Sequence, residues 1–445
     1  MSTVLERLAY DGDKEFIRVC ELILSGRGPV FFAGMQRHFE VAKHKPASFT
    51  DHGTVLAISI GGTNIKIMLA CMQHGRMVAS HVRTMSIPEK PTGFDAFFDD
   101  VLLKDPAVFR YMSENPAPEV GVSFPMAVIG DVAYHQTKVP TLNGVIARDF
   151  ERDAPTHDFR RNFADYLARR GLPPAALFFQ GDGIVAHHGA VSLSTLEPGD
   201  KSSLIICGTG MATGDEENYI QLGIMNLLDY DEELYPAGET EKYQYHYAVA
   251  GKGLFGLMDR AIRLKSKERG SLLGRFDLSA CFSSSVDTKT VADIYKSSHG
   301  FERTAKASWI LEMVGADAYR ELQEIATAIM ERAARSVANS FVATIVKMKP
   351  AANGKGHKLF FEGSICVDPG MLPKIKRHIV EIIKDKSLFD ALGEPQPYIP
   401  DMEATISEVC AADSTVNLGG MDVTLIGTAS MIMAYTSKFD NEGEE

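Results

Sequence analysis

Apolar runs and their periodicity divide the chain into strands and helices. Residues 55–60 read as a buried strand and 65–70 as a second one, joined at Gly61-Gly62 by a turn tight enough for a hairpin. The pattern predicts a third strand over 76–87, a helix over 94–103, and a short strand from Glu119 into a turn at Pro125. A helix over 159–170 leads to an apolar strand at 177–179, small residues at 184–190 suit a helix, and a fresh strand occupies 203–207. Leu322, Ile325, Ile329, Ala333, Val337, Phe341 and Ile345 line one face of the longest helix, 317–349. A strand ending in a small-residue turn over 358–366, a basic helix at 374–384 and a small-residue helix at 423–431 follow. The first fifty residues are helical and peripheral in this reading. Val4, Leu5, Leu8, then Phe16, Val19, Cys20 and Ile23 recur at helical spacing, with a break at 26–29 and another helical stretch at 31–44. Strands, hairpins and helices in this order predict an α/β fold with mixed sheets.

Composition narrows the functional classes. The 445 residues are 45% hydrophobic and 23% charged, an ordinary globular balance long enough for two domains. The formal charge of −12 disfavours non-specific binding to nucleic acid or an anionic membrane, leaving a local basic patch open. The six cysteines are scattered, with none at CxxC spacing, which favours buried thiols in a reducing compartment over structural zinc. The first residues lack a charged-then-apolar secretory pattern, and the apolar run at 423–435 is short and broken by Gly427 and Thr428. The cytoplasm is the expected location, and no membrane span is expected.

Three stretches carry candidate chemistry. Gly61 and Gly62 let backbone N–H groups approach a phosphate, Thr63 and Asn64 add polar groups, and Lys66 adds a positive charge; an ordinary hairpin turn is the alternative. Gly208-Thr209-Gly210 repeats the device after the strand at 203–207, and two such loops facing each other would hold one polyphosphate between them. Asp182 stands between Gly181 and Gly183 at a strand end, where open α/β sheets bind ligands. It could take a hydroxyl proton as that oxygen attacks phosphorus, or simply cap the helix that follows.

The order of these pieces resembles the eukaryotic-type hexokinases of the sugar kinase and actin-like ATPase superfamily. Residues 59–66 resemble that family's first phosphate loop, Ser123-Phe124-Pro125 its sugar segment, and Gly181-Asp182 its Asn-Asp pair. Leu142-Asn143-Gly144 falls at its Thr-Lys-Gly, Gly208-Thr209-Gly210 at its second phosphate loop, and Glu362-Gly363-Ser364-Ile365 at its adenosine turn. The resemblance runs from about residue 45 onward. It implies a two-lobed actin-like ATPase (ribonuclease H-like) fold with a central cleft. The small lobe would hold 54–178 and a returning helix at 427–445; the large lobe would hold 179–426, with the helices of 1–53 packed on it. It further implies a sugar kinase using ATP and Mg²⁺, with Asp182 as general base. ATP would contact Gly61, Gly62, Thr63, Asn64, Lys66, Gly208, Thr209, Gly210, Gly363, Ser364 and Ile365. Sugar would contact Ser123, Asn143, Gly144, Asp182, Asn226 and His246. No side chain is assigned as a direct metal ligand.

The departures from the family pattern fall at polar positions. Ser59 stands where the family has an acidic residue that holds Mg²⁺ through water, Asn143 at its sugar-contacting lysine, and Gly181 at its asparagine. Ala212 replaces the asparagine of the second loop, and Asn226 and His246 stand at the two sugar-binding glutamates. Each lost hydrogen bond is worth about 0.5–1.5 kcal/mol, so the set argues against an ordinary glucose kinase. Two readings follow: a kinase for a hexose or related polyol with an altered pocket, and a hexokinase-like sugar- or nucleotide-binding protein that has lost turnover.

Overall fold

The apolar run of the first hairpin lies at the centre of a five-stranded sheet. The computed structural model describes residues 3–9, 11–25, 51–61, 64–86, 93–124, 128–129, 132–133, 159–193, 201–207, 211–215, 219–220, 233–234, 251–274, 290–348, 357–363, 368, 370–397 and 423–442. Strands β1 (His52–Ile60), β2 (Asn64–Gln73) and β3 (Arg76–Ser86) form an antiparallel meander. The helices Phe94–Phe98 and Pro106–Glu114 carry the chain to β4 (Glu119–Phe124), which pairs parallel with β1. Two short strands, β5 (Val128–Ile129) and β6 (Val132–Ala133), pair with each other. After the helix Phe159–Arg169, β7 (Ala176–Gly181) adds parallel to β4, giving the order β3-β2-β1-β4-β7.

The two-residue period of the strands sorts this sheet's side chains onto two faces. On one, Leu56, Ile58, Ile60, Val122, Phe124 and Phe179 pack with Phe94, Phe98, Phe159 and Phe163. Phe159 and Phe179 stack there with ring centroids 4.0 Å apart. On the other, Val55, Ala57, Met68 and Phe178 pack with Ile184 and Val185 of the helix Asp182–Leu193 and with Leu425, Ala429 and Ile432 of the helix Val423–Glu442.

A second sheet repeats the device. Strands β8 (Lys201–Cys207) and β9 (Met211–Asp215) form a hairpin, β10 (Tyr219–Ile220) extends it, and β11 (His357–Glu362) pairs parallel with β8. Its order is β10-β9-β8-β11. In both sheets a hairpin with a short glycine-containing link is flanked by a parallel strand. The last paired residues before each link are Ile60↔Ile65 and Cys207↔Met211. The helix Asp182–Leu193 packs on β8 and β9 as well as on the helix Val423–Glu442, so it ties the two sheets together.

The long helix Ala316–Met348 has 33 residues and spans about 50 Å at 1.5 Å per residue. Its apolar face, Leu322 through Ile345, is buried as the pattern predicts. The helix Gly12–Ser25 lies against it and is not peripheral: Phe16, Val19, Cys20 and Ile23 are buried in the same core. Asn339 Nδ2 donates to the Gly12 carbonyl at 2.9 Å, and Arg335 pairs with Asp13 at 2.6 Å. Burial keeps the Cys20 thiol protonated, far above its usual range. The helix expected at 31–44 lies outside the described residues. The expected helix 94–103 changes after Phe98 to a π-helical turn, Asp99–Leu103. Strand β11 ends at Glu362, where the small-residue turn is expected, and the small-residue helix near 184 starts at Asp182.

Candidate functional site

One row of polar side chains interrupts the inner face of the first sheet. Lys66, Ser59, Ser123 and Gln180 are successive register partners across β2, β1, β4 and β7, so their side chains share a face. Two residues further into the sheet, the same face carries Met68, Ala57, Gly121 and Phe178. The polar row therefore marks the end of the apolar packing. It lies one residue from the C-terminal ends of the parallel strands β1, β4 and β7, the edge at which open α/β sheets bind ligands.

Asp182 follows Gln180 by two residues and is the first residue of the helix Asp182–Leu193. It is half-buried. A carboxylate there suits the unsatisfied N–H groups of the first helical turn. Ser59, Ser123 and Gln180 are buried. The Gly181 N–H donates to Gln180 Oε1 at 2.8 Å. Gln180 Nε2 and Ser123 Oγ make no hydrogen bond among the described residues. In the first hairpin link the Gly61 N–H donates to the Asn64 carbonyl at 2.8 Å, which closes the turn. Gly61, Asn64, Lys66, Ser123 and Asp182 thus come to one end of one sheet.

Gly363 sits on the second sheet, just past β11. Its φ of +92° suits glycine, and a β-carbon there would overlap the backbone of Cys207, the residue before the second glycine loop. The start of that loop and the adenosine-turn position are therefore adjacent. Thr424, in the first turn of the last helix, donates to the Glu362 carboxylate at 3.3 and 3.4 Å. Gly62, Thr63, Asn143, Gly144, Gly208, Thr209, Gly210, Asn226, His246, Ser364 and Ile365 lie outside the described residues. Among the described residues no group of three His, Cys, Asp or Glu side chains forms a metal site.

Two further features of the site lie outside the motifs. Gln180 interrupts an otherwise apolar strand one residue before its end, and that interruption is the available signal. His187, five residues past Asp182 on the same helix, bonds through Nε2 to Ser202 Oγ of β8 at 2.8 Å. Burial, with a smaller contribution from His188, pushes its pKa down to about 3, so the ring is neutral. Nothing in the local sequence distinguishes it from a surface histidine.

The mixed α/β fold is shared with solved hexokinase structures. A hexokinase crystal structure matches 97% of this chain and 98% of its own, at 16% identity and a TM-score of 0.62. A Schistosoma mansoni hexokinase, crystallised with glucose, matches 91% of this chain and 100% of its own, at 14% identity and a TM-score of 0.58. No curated protein matches the chain by sequence. The hexokinase family model matches residues 226–392, which hold the long helix and β11 but neither Asp182 nor the first hairpin. The family match is confined to that segment, less than half of the chain, while the fold is shared along nearly its whole length. No described helix is long and apolar enough to cross a membrane.

Proposed function

We propose that the protein is an ATP-dependent sugar kinase, transferring a phosphoryl group to a hydroxyl of a hexose or related polyol. The observation that carries this reading is the placement of Asp182. It is a half-buried carboxylate at the end of β7, beside a polar row that ends the inner face of the sheet. Bound ATP would supply the transferable γ-phosphoryl group, and magnesium would enter on its phosphates. Asp182 accepts the proton of the attacking hydroxyl, and Ser123 holds the sugar beside it. In this assignment Asn143, Gly144, Asn226 and His246 complete the sugar site. Gly61 to Lys66 and Gly208 to Gly210 hold the phosphates, and Gly363 to Ile365 take the adenosine.

The two lobes, 54–178 with 427–445 and 179–426 with 1–53, close on the ligands and exclude water, so the sugar hydroxyl rather than water is phosphorylated. The glucose bound to the Schistosoma mansoni neighbour supports a sugar as the ligand class. The cytoplasm is the proposed location.

Ser59 favours a second reading, a sugar- or nucleotide-binding protein without turnover. It is buried in the row facing Lys66 and brings no negative charge to the metal-site position. ADP release from ATP across a panel of sugars, measured beside sugar and nucleotide binding, separates the two. Sugar-dependent ADP release supports the kinase; binding of both ligands without it supports the second reading; no binding of either contradicts both.

A further inference from the structure

We infer that Gln180 is a substrate-specificity residue whose amide NH₂ group, with the Ser123 hydroxyl, hydrogen-bonds an oxygen of an uncharged polyol held beside Asp182. This rests on the sugar-kinase reading of the same site and adds to it a residue and a ligand chemistry. Gln180 and Ser123 are both 0% exposed and are register partners on neighbouring strands. The Gly181 N–H, 2.8 Å from Gln180 Oε1, can only donate, so it fixes which way the amide faces. Nε2 must then be the atom left over, and it has no partner among the described residues; nor has Ser123 Oγ. Buried donors are almost always paired, and leaving them unpaired is costly. An apolar side chain would avoid that cost, as Phe178 does on the same face two residues earlier. Two such groups on register-paired strands, at the edge where open α/β sheets bind ligands, are what a ligand there would satisfy.

The chemistry of that ligand follows from the groups around it. The Gln180 amide NH₂ only donates, and the Asp182 carboxylate, as the base of the proposed reaction, accepts. Hydroxyl groups satisfy both: one accepts from Gln180 while its neighbour donates to Asp182. An ammonium has no lone pair to accept from Gln180.

The test is calorimetric titration of the full chain with glucose, mannose, galactose and fructose, then with monodeoxy analogues of the tightest binder. It is run on the wild type, on Gln180→Leu, which removes the amide, and on Gln180→Glu, which keeps the acceptor for Gly181 but not the donor. Melting temperatures and ATP affinity are measured alongside. Each folded variant should bind the sugar about tenfold more weakly, the size of one lost hydrogen bond. One deoxy analogue that binds wild type weakly should show no further loss in Gln180→Leu, because the same contact is already gone. Such coupling supports the inference even if no phosphoryl transfer is detected, which would fail the kinase reading alone. Unchanged sugar affinity in a folded variant, equal losses for every analogue, or no binding of any sugar to wild type would overturn it.

Discussion

Gly189 and Gly427 meet where the helices Asp182–Leu193 and Val423–Glu442 cross, and each occupies space that a side chain would take from the other helix's backbone. A β-carbon on Gly189 would overlap the Val423 carbonyl, and one on Gly427 would overlap the Val185 carbonyl. The contact is reciprocal: each glycine faces the residue four positions before the other, one turn back along the partner helix. Gly121 of β4 continues the close approach, lying against Thr428 and Ile432. Asp182 begins the first of these helices, so the crossing sets where the carboxylate stands relative to both sheets.

Gly427→Ala and Gly189→Ala should each destabilise the protein by at least the usual overpacking cost of about 1–3 kcal/mol, because the atoms met are backbone and cannot rotate aside. Gly274→Ala, where a β-carbon meets nothing within 4 Å, is the control and should stay within about 0.5 kcal/mol of wild type. Urea unfolding measures all three. Crossing-glycine variants as stable as the control would mean that the helices do not approach this closely.

His187 gives a pH dependence of defined sign. Its folded pKa of about 3 lies below the ordinary 6.5, so the unfolded chain takes up the proton first as pH falls. This contribution to stability is fully present above about pH 6.5 and is lost progressively toward about pH 3, at up to about 1.4 kcal/mol per pH unit. His187→Gln can still bond to Ser202 but has no proton to take up. Between about pH 7.5 and pH 5 the variant should therefore lose less stability than wild type. His378, also shifted downward by burial, is common to both proteins and cancels in the difference. Parallel curves would show that His187 is not held neutral in the fold.

Much of this architecture was legible because burial writes periodicity into a chain. The runs at 55–60 and 65–70 became β1 and β2, and the face from Leu322 to Ile345 became the buried side of the long helix. The helix Gly12–Ser25 was read as peripheral because amphipathic spacing shows that a face is buried, not what buries it. Gly61, Ser123 and Asp182 were picked out by type and motif, and the register of β1, β4 and β7 brings their strand ends together. The pairing of Gln180 with Ser123 and the His187–Ser202 bond were not legible. The first depends on the pairing of β4 with β7, and the second on a helix that meets a strand of the other sheet.

Ser59→Asp should raise turnover and strengthen magnesium dependence, if Ser59 stands at the metal-site position. The new carboxylate would face Lys66, its register partner on β2. Initial rates against magnesium concentration, with the best sugar of the panel, measure the effect. A folded variant with no gain in magnesium or manganese would remove position 59 from the metal site.

The central claim, that Asp182 is the base of a phosphoryl transfer, is tested most directly by steady-state turnover of Asp182→Asn. The amide keeps the shape of the carboxylate and serves nearly as well at the start of a helix, but it cannot accept the proton. Turnover on the best sugar should fall by about 10²–10⁴-fold, the usual size of a general-base contribution, while melting temperature and ATP affinity hold. Full turnover in the folded Asp182→Asn protein would contradict the assignment.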